Sequence, residues 1–167
     1  MIKTNKTGNL VLSRKDKSRG FTLIEILIVI GIIAVLAAVV LVAINPARQF
    51  KLARDSQRVS NVTAILNAVG QDIAEHRGTF YCGTTTQQIP GTSTLMTNDY
   101  SITPKFDIAD CLVPNYISSL PFDPSKPGAG YIENGAYNTE YKIFQDTNGR
   151  ITVSSIGEIT ESISVTR

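Results

Sequence analysis

Few residues of this 167-residue chain have types and spacings that could do chemistry, and the most unusual of them is Glu25. It is the one charged residue in the 24-residue apolar run from Phe21 to Ile44, and Gly20 lies directly before that run. A carboxylate in such a run costs free energy unless it reaches water, takes up a proton or meets a cation. Glu25 therefore either lies close enough to a membrane interface to be tolerated or has a specific cationic partner.

The two cysteines, Cys82 and Cys111, both follow the apolar run. An oxidising compartment would let them pair, and closing that loop would stabilise the fold by roughly 3–4 kcal/mol. The alternative is two separate buried thiols. The sequence has no CxxC motif and no Cys/His cluster with metal-ligand spacing, so it does not favour a structural zinc site.

Two further groups of residues have types that could form a site. Asp146 and Asn148, followed by Gly149, form half of an oxygen-ligand loop for calcium, but the distal acidic residue is missing, so a simple turn is favoured. His76 is the only histidine, and Asp72 precedes it by one helical turn, which favours an ion pair at a helix end over a catalytic base. With no phosphate-binding or dinucleotide-binding motif either, the sequence predicts no enzyme and no cofactor.

The charge is distributed unevenly along the chain. Residues 1–20 contain six Lys and Arg against one Asp, a formal +5, whereas residues 21–167 contain 10 Lys and Arg against 13 Asp and Glu, a formal −3. Because the basic segment adjoins the apolar run, we predict a membrane partner rather than nucleic acid.

The apolar run itself predicts a membrane-spanning helix. Its 24 residues would extend about 36 Å, enough to cross a hydrocarbon core of about 30 Å. Six Lys and Arg precede it, and four follow it, namely Arg48, Lys51, Arg54 and Arg58, so a cytoplasmic leader is modestly favoured. An ordinary signal peptide cut near Ala43 and an unprocessed anchor are the alternatives. The run is longer than a usual signal-peptide core and contains Glu25, which disfavours the first.

The segment from Gly20 to Glu25, with the sequence G-F-T-L-I-E after a basic leader, resembles the class III signal of type IV pilins and type II secretion pseudopilins. The resemblance implies that a prepilin peptidase cuts after Gly20 and methylates Phe21, and that Glu25 pairs with a terminal amine during assembly. It implies as partners other copies of the subunit, the prepilin peptidase, an assembly ATPase and its platform protein. It also implies a single-pass protein of the cytoplasmic membrane with an extracytoplasmic head, and a surface filament after assembly.

Beyond the apolar run, Pro46 predicts a kink or brief break in the helix. Apolar residues at Leu52, Val59, Leu66 and Ile73, with Val62 and Val69 between them, predict an amphipathic helix that ends near Gly78. Its predicted polar face contains Arg54, Arg58, Asn61, Asn67 and Gln71. A coiled coil is the alternative, but Asp55 would occupy a core position in it.

The remaining residues predict a small antiparallel sheet. Asn148-Gly149 predicts a hairpin between strands at 141–145 and 150–154, and Asn134-Gly135 predicts a second turn. Residues 83–98 are predicted to be an exposed loop and 115–120 a helical turn, while the tail from 156 either adds a strand or is free.

The predicted fold is thus α+β: a long N-terminal helix, half transmembrane and half amphipathic, packed on a small antiparallel sheet as in pilins. We predict a cleaved leader (1–20), a membrane or filament-core helix (21–44), an amphipathic half (45–78) and a globular head (79–167). The predicted function is a structural subunit of a type IV pilus-like filament. The alternatives are a secretion pseudopilin and a monomeric membrane-tethered binding module that uses Tyr81 and Tyr100.

Overall fold

The computed structural model describes residues 20–83 and 85–167, and the predicted basic leader therefore lies almost wholly outside the described residues. The helices are α1 (Leu23–Ile44), α2 (Pro46–Glu75) and α3 (Ala109–Leu112). The strands are β1 (Tyr81–Cys82), β2 (Thr85–Thr86), β3 (Thr94–Thr97), β4 (Lys105–Phe106), β5 (Gly130–Glu133), β6 (Ala136–Gln145), β7 (Ile151–Ser155) and β8 (Ile163–Thr166). The chain divides into two compact units, one ending at Asn45 and the other comprising Pro46–Arg167, called here the C-terminal unit.

Helix α1 is a single apolar helix of 22 residues, long and apolar enough to cross a membrane. Thr22 caps its start, since its hydroxyl accepts a hydrogen bond from the Glu25 backbone N–H at 3.2 Å. Asn45 ends it in a left-handed conformation with φ 49°, which Asn tolerates better than most residues. Because α2 then begins at Pro46, the predicted break at this position is confirmed.

Helix α2 packs against β7 and β8, so the predicted packing of an amphipathic helix on a sheet is confirmed. The predicted faces are partly wrong. Val59, assigned to the apolar face, is 47% exposed, whereas Arg58 and Asn61, assigned to the polar face, are buried. The buried face of α2 includes residues 55, 58, 62, 65, 69 and 72. A search for apolar periodicity does not find this face, because three of these positions are charged.

The end of α2 agrees with the prediction. The helix stops at Glu75, and the Gly78 backbone N–H donates a hydrogen bond to the Ile73 carbonyl at 2.8 Å. Gly78 has φ +93°, a conformation that glycine adopts without the steric cost of a Cβ.

The main sheet has the strand order β4-β3-β6-β7-β8, and β5 pairs with the first part of β6. All pairs are antiparallel except β3 with β4. The predicted hairpin is confirmed, with Lys142 opposite Ser154 and Gln145 opposite Ile151. The second turn joins β5 to β6 as predicted, and the tail contributes β8 beside β7. The predicted α+β class is therefore confirmed.

Two local predictions are wrong. The last part of the predicted loop 83–98 is the strand β3, in which Met96 is completely buried. A four-residue strand flanked by polar residues is too short for a periodic pattern, and its position is set by pairing with β6.

Residues 115–120 do not form the predicted helical turn within the described chain. The short helix is α3, which precedes this segment in the chain. The Tyr116 and Ile117 backbone N–H groups donate hydrogen bonds to the carbonyl of Leu112, its last residue.

Candidate processing and assembly site

The junction between leader and apolar helix contains the residues predicted to be processed. Gly20 and Phe21 precede α1 and are exposed, and Thr22 is its N-cap. Glu25 is the acidic residue of the first helical turn, where the unpaired backbone N–H groups and the helix dipole favour negative charge. Glu25 thus follows Phe21 by four residues, and the Phe21 backbone nitrogen would become a terminal amine if the chain were cut after Gly20.

A second arrangement of charged residues lies in the C-terminal unit, and sequence reasoning missed it. We call it the Arg58 cluster; it comprises Arg54, Asp55, Arg58, Asp123 and Glu158. The Arg58 side chain is completely buried, and its guanidinium contacts three carboxylates. Asp123 receives two of these hydrogen bonds, from Nε at 2.7 Å and from Nη2 at 2.9 Å, in the bidentate geometry that planar guanidinium groups favour.

Asp55 connects the cluster to the loop before β8. Its carboxylate accepts hydrogen bonds from the backbone N–H groups of Glu158, Ile159 and Thr160 at 2.8–3.0 Å. A Cβ added at Gly157 would lie 2.3 Å from the Thr160 carbonyl oxygen and 2.9 Å from Asp55 Oδ1, so only glycine fits at this position. The cluster therefore fixes helix α2 to the segment that positions the last strand.

The pKa values of the acidic groups in the cluster are all lowered. Burial opposes ionisation of Asp55, but the three backbone N–H groups and Arg58 outweigh it, so the pKa of Asp55 lies far below its usual value. The pKa of Asp123 is lowered against the effect of its burial, chiefly by hydrogen bonds from Arg58. The hydrogen bonds from Arg54 lower the pKa of Glu158 to about 2. All three carboxylates are therefore ionised at neutral pH.

Acid should weaken the C-terminal unit through this cluster. A carboxylate with a lowered pKa contributes stability that is fully present above its unfolded value, near pH 4, and is lost as the pH falls through the folded value. We expect the urea midpoint of the chain in detergent to be nearly constant from about pH 7 to about pH 5 and to fall steadily below about pH 4. Arg58→Met should make that fall shallower. An equally steep fall in R58M would contradict the assignment.

The signal for the cluster is present in the sequence, but it is weak. Asp55 and Arg58 have the i, i+3 spacing of a helical ion pair, at 2.7 Å in the structure. Asp123 lies in the proline-rich segment between Pro121 and Pro124, and Glu158 lies in the tail, so neither partner could be assigned from spacing.

Cys82 and Cys111 form a disulfide, as predicted, with Cα atoms 4.1 Å apart. The bond joins β1 to α3 and closes a loop across a sequence separation of 29 residues, which stabilises the fold by about 3–4 kcal/mol in the chain-entropy model. The pairing is consistent with a head in an oxidising compartment.

The predicted contact at the end of α2 is also present. His76 Nδ1 lies 2.9 Å from the Asp72 carbonyl oxygen and 3.3 Å from Asp72 Oδ2. Tyr81, one of the two aromatic residues that the binding-module alternative would use, stacks on the His76 ring with the ring centroids 4.6 Å apart. Asp72 Oδ1 also accepts a hydrogen bond from the Tyr81 backbone N–H, so these residues have structural contacts that account for them.

The half calcium motif forms the β6–β7 turn. Asp146 Oδ1 accepts hydrogen bonds from the Asn148 and Arg150 backbone N–H groups, and Oδ2 accepts one from Arg150 Nε at 2.8 Å. Among the described residues, no group of three or more His, Cys, Asp or Glu is arranged to hold a metal ion. These contacts favour the simple turn.

Calcium should accordingly leave the stability of the chain unchanged. A ligand that binds only the folded state raises the melting temperature by an amount that grows with its concentration relative to its Kd. We expect the same melting temperature in millimolar calcium and in chelator, both for the parent chain and for Asp146→Asn corrected for its own shift. A calcium-dependent rise that is absent in D146N would instead establish a site at this turn.

An apolar N-terminal helix together with an α+β unit, in which a helix packs on an antiparallel sheet, is a pilin-like fold. In comparisons with known proteins, residues 15–41 match the prokaryotic N-terminal methylation motif. Neither the curated proteins nor the solved structures gave a match. The motif is a class III signal, and it supports a type IV pilin-like or pseudopilin precursor anchored in the membrane by its apolar helix. Proteins with this motif are structural rather than enzymatic.

Proposed function

We propose that this chain is the precursor of a structural subunit of a type IV pilus-like filament. In this proposal a prepilin peptidase removes residues 1–20, Phe21 becomes the methylated terminus, and α1 is first a membrane anchor and then part of the filament core. The single observation that supports it best is the overlap of the methylation motif, at residues 15–41, with the apolar helix Leu23–Ile44.

The physical reason for cleavage concerns Glu25. Before the cut, the Phe21 nitrogen belongs to an ordinary peptide bond and has no positive charge to offer the carboxylate. The cut creates an amine, and two opposite charges in an apolar environment cost less than one. An amine of Phe21 in one subunit and Glu25 in another would form such a pair, which would set the axial position of each subunit.

The remaining parts have roles that follow from this proposal. Residues 21–44 form the membrane and filament-core helix, 45–78 the amphipathic half and 79–167 the globular head outside the cytoplasm. The processed subunit would need the peptidase, an assembly ATPase and a platform protein as partners, and other copies of itself. The role requires no catalytic site and no cofactor.

Mass spectrometry of the mature amino terminus tests the proposal directly. We expect a chain that begins at Phe21 with one methyl group on its amine. Gly20→Leu should leave the leader attached, whereas Gly31→Leu, a matched change within α1 where a Cβ meets no described atom of this chain, should be processed normally. A working protein that retains its leader and stays monomeric in membranes would instead be the tethered binding module.

The same filament could act outside the cell or in secretion. A surface filament visible outside the cell favours a pilin, and a short assembly found only together with a secretion apparatus favours a pseudopilin.

A further inference from the structure

A groove crosses one face of the sheet where β5 joins β6. It has a volume of about 610 Å³, and its lining includes Gly130, Ala136, Asn138 and Asn98. Five of the lining residues have no side chain or only a methyl group, namely Gly128, Ala129, Gly130, Gly135 and Ala136. The walls are Tyr100 and Ile132, which are 84% and 85% exposed. We call this feature the Tyr100 groove.

The Tyr100 wall is held in place. The Lys105 ammonium lies 3.6 Å from the centroid of the Tyr100 ring, and it donates a hydrogen bond to the Asn98 carbonyl at 2.9 Å. A ring fixed in this way loses little conformational freedom when a second apolar group packs against its other face. One wall of the groove, the Tyr100 ring, therefore already has a packing partner within the chain.

The charge around the groove is formally negative. Asp99 is part of the lining, and Asp107 accepts a hydrogen bond from Tyr137 and one from Asn98, both of which line the groove. Lys105 contacts the Tyr100 ring and the Asn98 carbonyl. Together, Asp99, Asp107 and Lys105 have a formal charge of −1. A cationic apolar group fits such a surface better than an anionic one.

The start of α2 has the complementary character. Every residue from Pro46 to Ala53 is exposed or half-buried, and Phe50 is 65% exposed. Lys51 is next to it, and the sequence has no acidic residue between Pro46 and Arg54. The groove lining comes from residues 98–100 and from residues 128–130, 132 and 135–138, and Phe50 of the same copy is not part of it.

We propose that, in the filament proposed above, the Tyr100 groove of one subunit receives Phe50 of a second copy of the chain, with Lys51 facing Asp99. This inference rests on the proposed function. The two patches differ, so the contact is heterologous, and a heterologous contact repeats without closing and builds an open-ended assembly. Such a contact would add to the packing of the apolar helices and to the pair of Phe21 with Glu25.

A charge exchange tests the contact in cells that assemble the full chain. Lys51→Glu and Asp99→Lys should each reduce the amount of sheared, sedimentable filament by about tenfold, because each places like charges together. The double variant K51E with D99K should recover most of the yield. Lys142→Glu, a matched reversal at an exposed position of β6 outside the groove, should assemble normally.

A cross-link gives a second measurement that does not depend on yield. Phe50→Cys together with Ile132→Cys should produce a ladder of disulfide-linked subunits in filaments, whereas each single variant should give no more than dimers.

If the parent chain forms no filaments, the proposed function fails and the contact with it. If filaments form but the ladder is absent and K51E behaves like K142E, only the contact is wrong. A defect in K51E that D99K does not rescue would assign Lys51 to the membrane surface and overturn the contact.

Discussion

Replacing Arg58 by Met should lower the free energy of unfolding by about 3–5 kcal/mol. The variant keeps an apolar side chain of similar length but removes the guanidinium from among Asp55, Asp123 and Glu158. Asp123 would then remain buried and charged with only the Ser125 and Lys126 groups as donors. Removing one partner of a buried ion pair costs more than the pair contributes, because the other charge is left without compensation.

Urea unfolding of the full chain in detergent, followed by circular dichroism, measures this effect. The matched control is Arg150→Met, which removes the exposed Arg150–Asp146 pair of the β6–β7 turn and should cost less than about 1 kcal/mol. Arg58→Met combined with Asp123→Asn should cost less than the sum of the two single changes, since the double variant leaves no unpaired charge at that contact. A loss in R58M as small as that in R150M would show that the cluster behaves like a surface ion pair.

The Arg58 cluster also shows where prediction from the sequence stops. Helix α2 was predicted from its apolar residues, and its existence and end were correct because Val62, Leu66 and Val69 have the spacing of a helix face. The side on which it packs was partly wrong, because Asp55 and Arg58 are buried by partners more than 60 residues away. Charged residues such as these are expected on the solvent-exposed face of a helix unless their buried partners are known.

The sheet was predictable where turn chemistry is specific. Asn134-Gly135 and Asn148-Gly149 each precede a strand that begins within two residues, so both hairpins were correct. Strand β3 was missed because pairing with β6, rather than any pattern of its own, determines it. The segment from Gly20 to Glu25 has so unusual a combination of residues that it was recognised from the sequence, and it lies within residues 15–41, which match the prokaryotic N-terminal methylation motif.

Glu25→Gln should leave removal of the leader intact and reduce filament yield roughly tenfold or more. Glutamine preserves the size of the side chain, and the Thr22 cap uses the backbone N–H of residue 25, so α1 should begin at the same place. The change removes only the negative charge. The amine of Phe21 in a neighbouring subunit would then enter an apolar environment without a counter-charge, which opposes incorporation.

Two measurements on the same cells separate processing from assembly in this variant. Mass spectrometry should find methylated Phe21 termini in E25Q at the parent level, while sedimentation should find few filaments. Glu161→Gln, the same chemical change at an exposed position of the C-terminal unit, should alter neither quantity. Normal filament yield from E25Q would mean that Glu25 reaches water at the membrane interface and needs no amine. A retained leader in E25Q would place the carboxylate in the cleavage step instead.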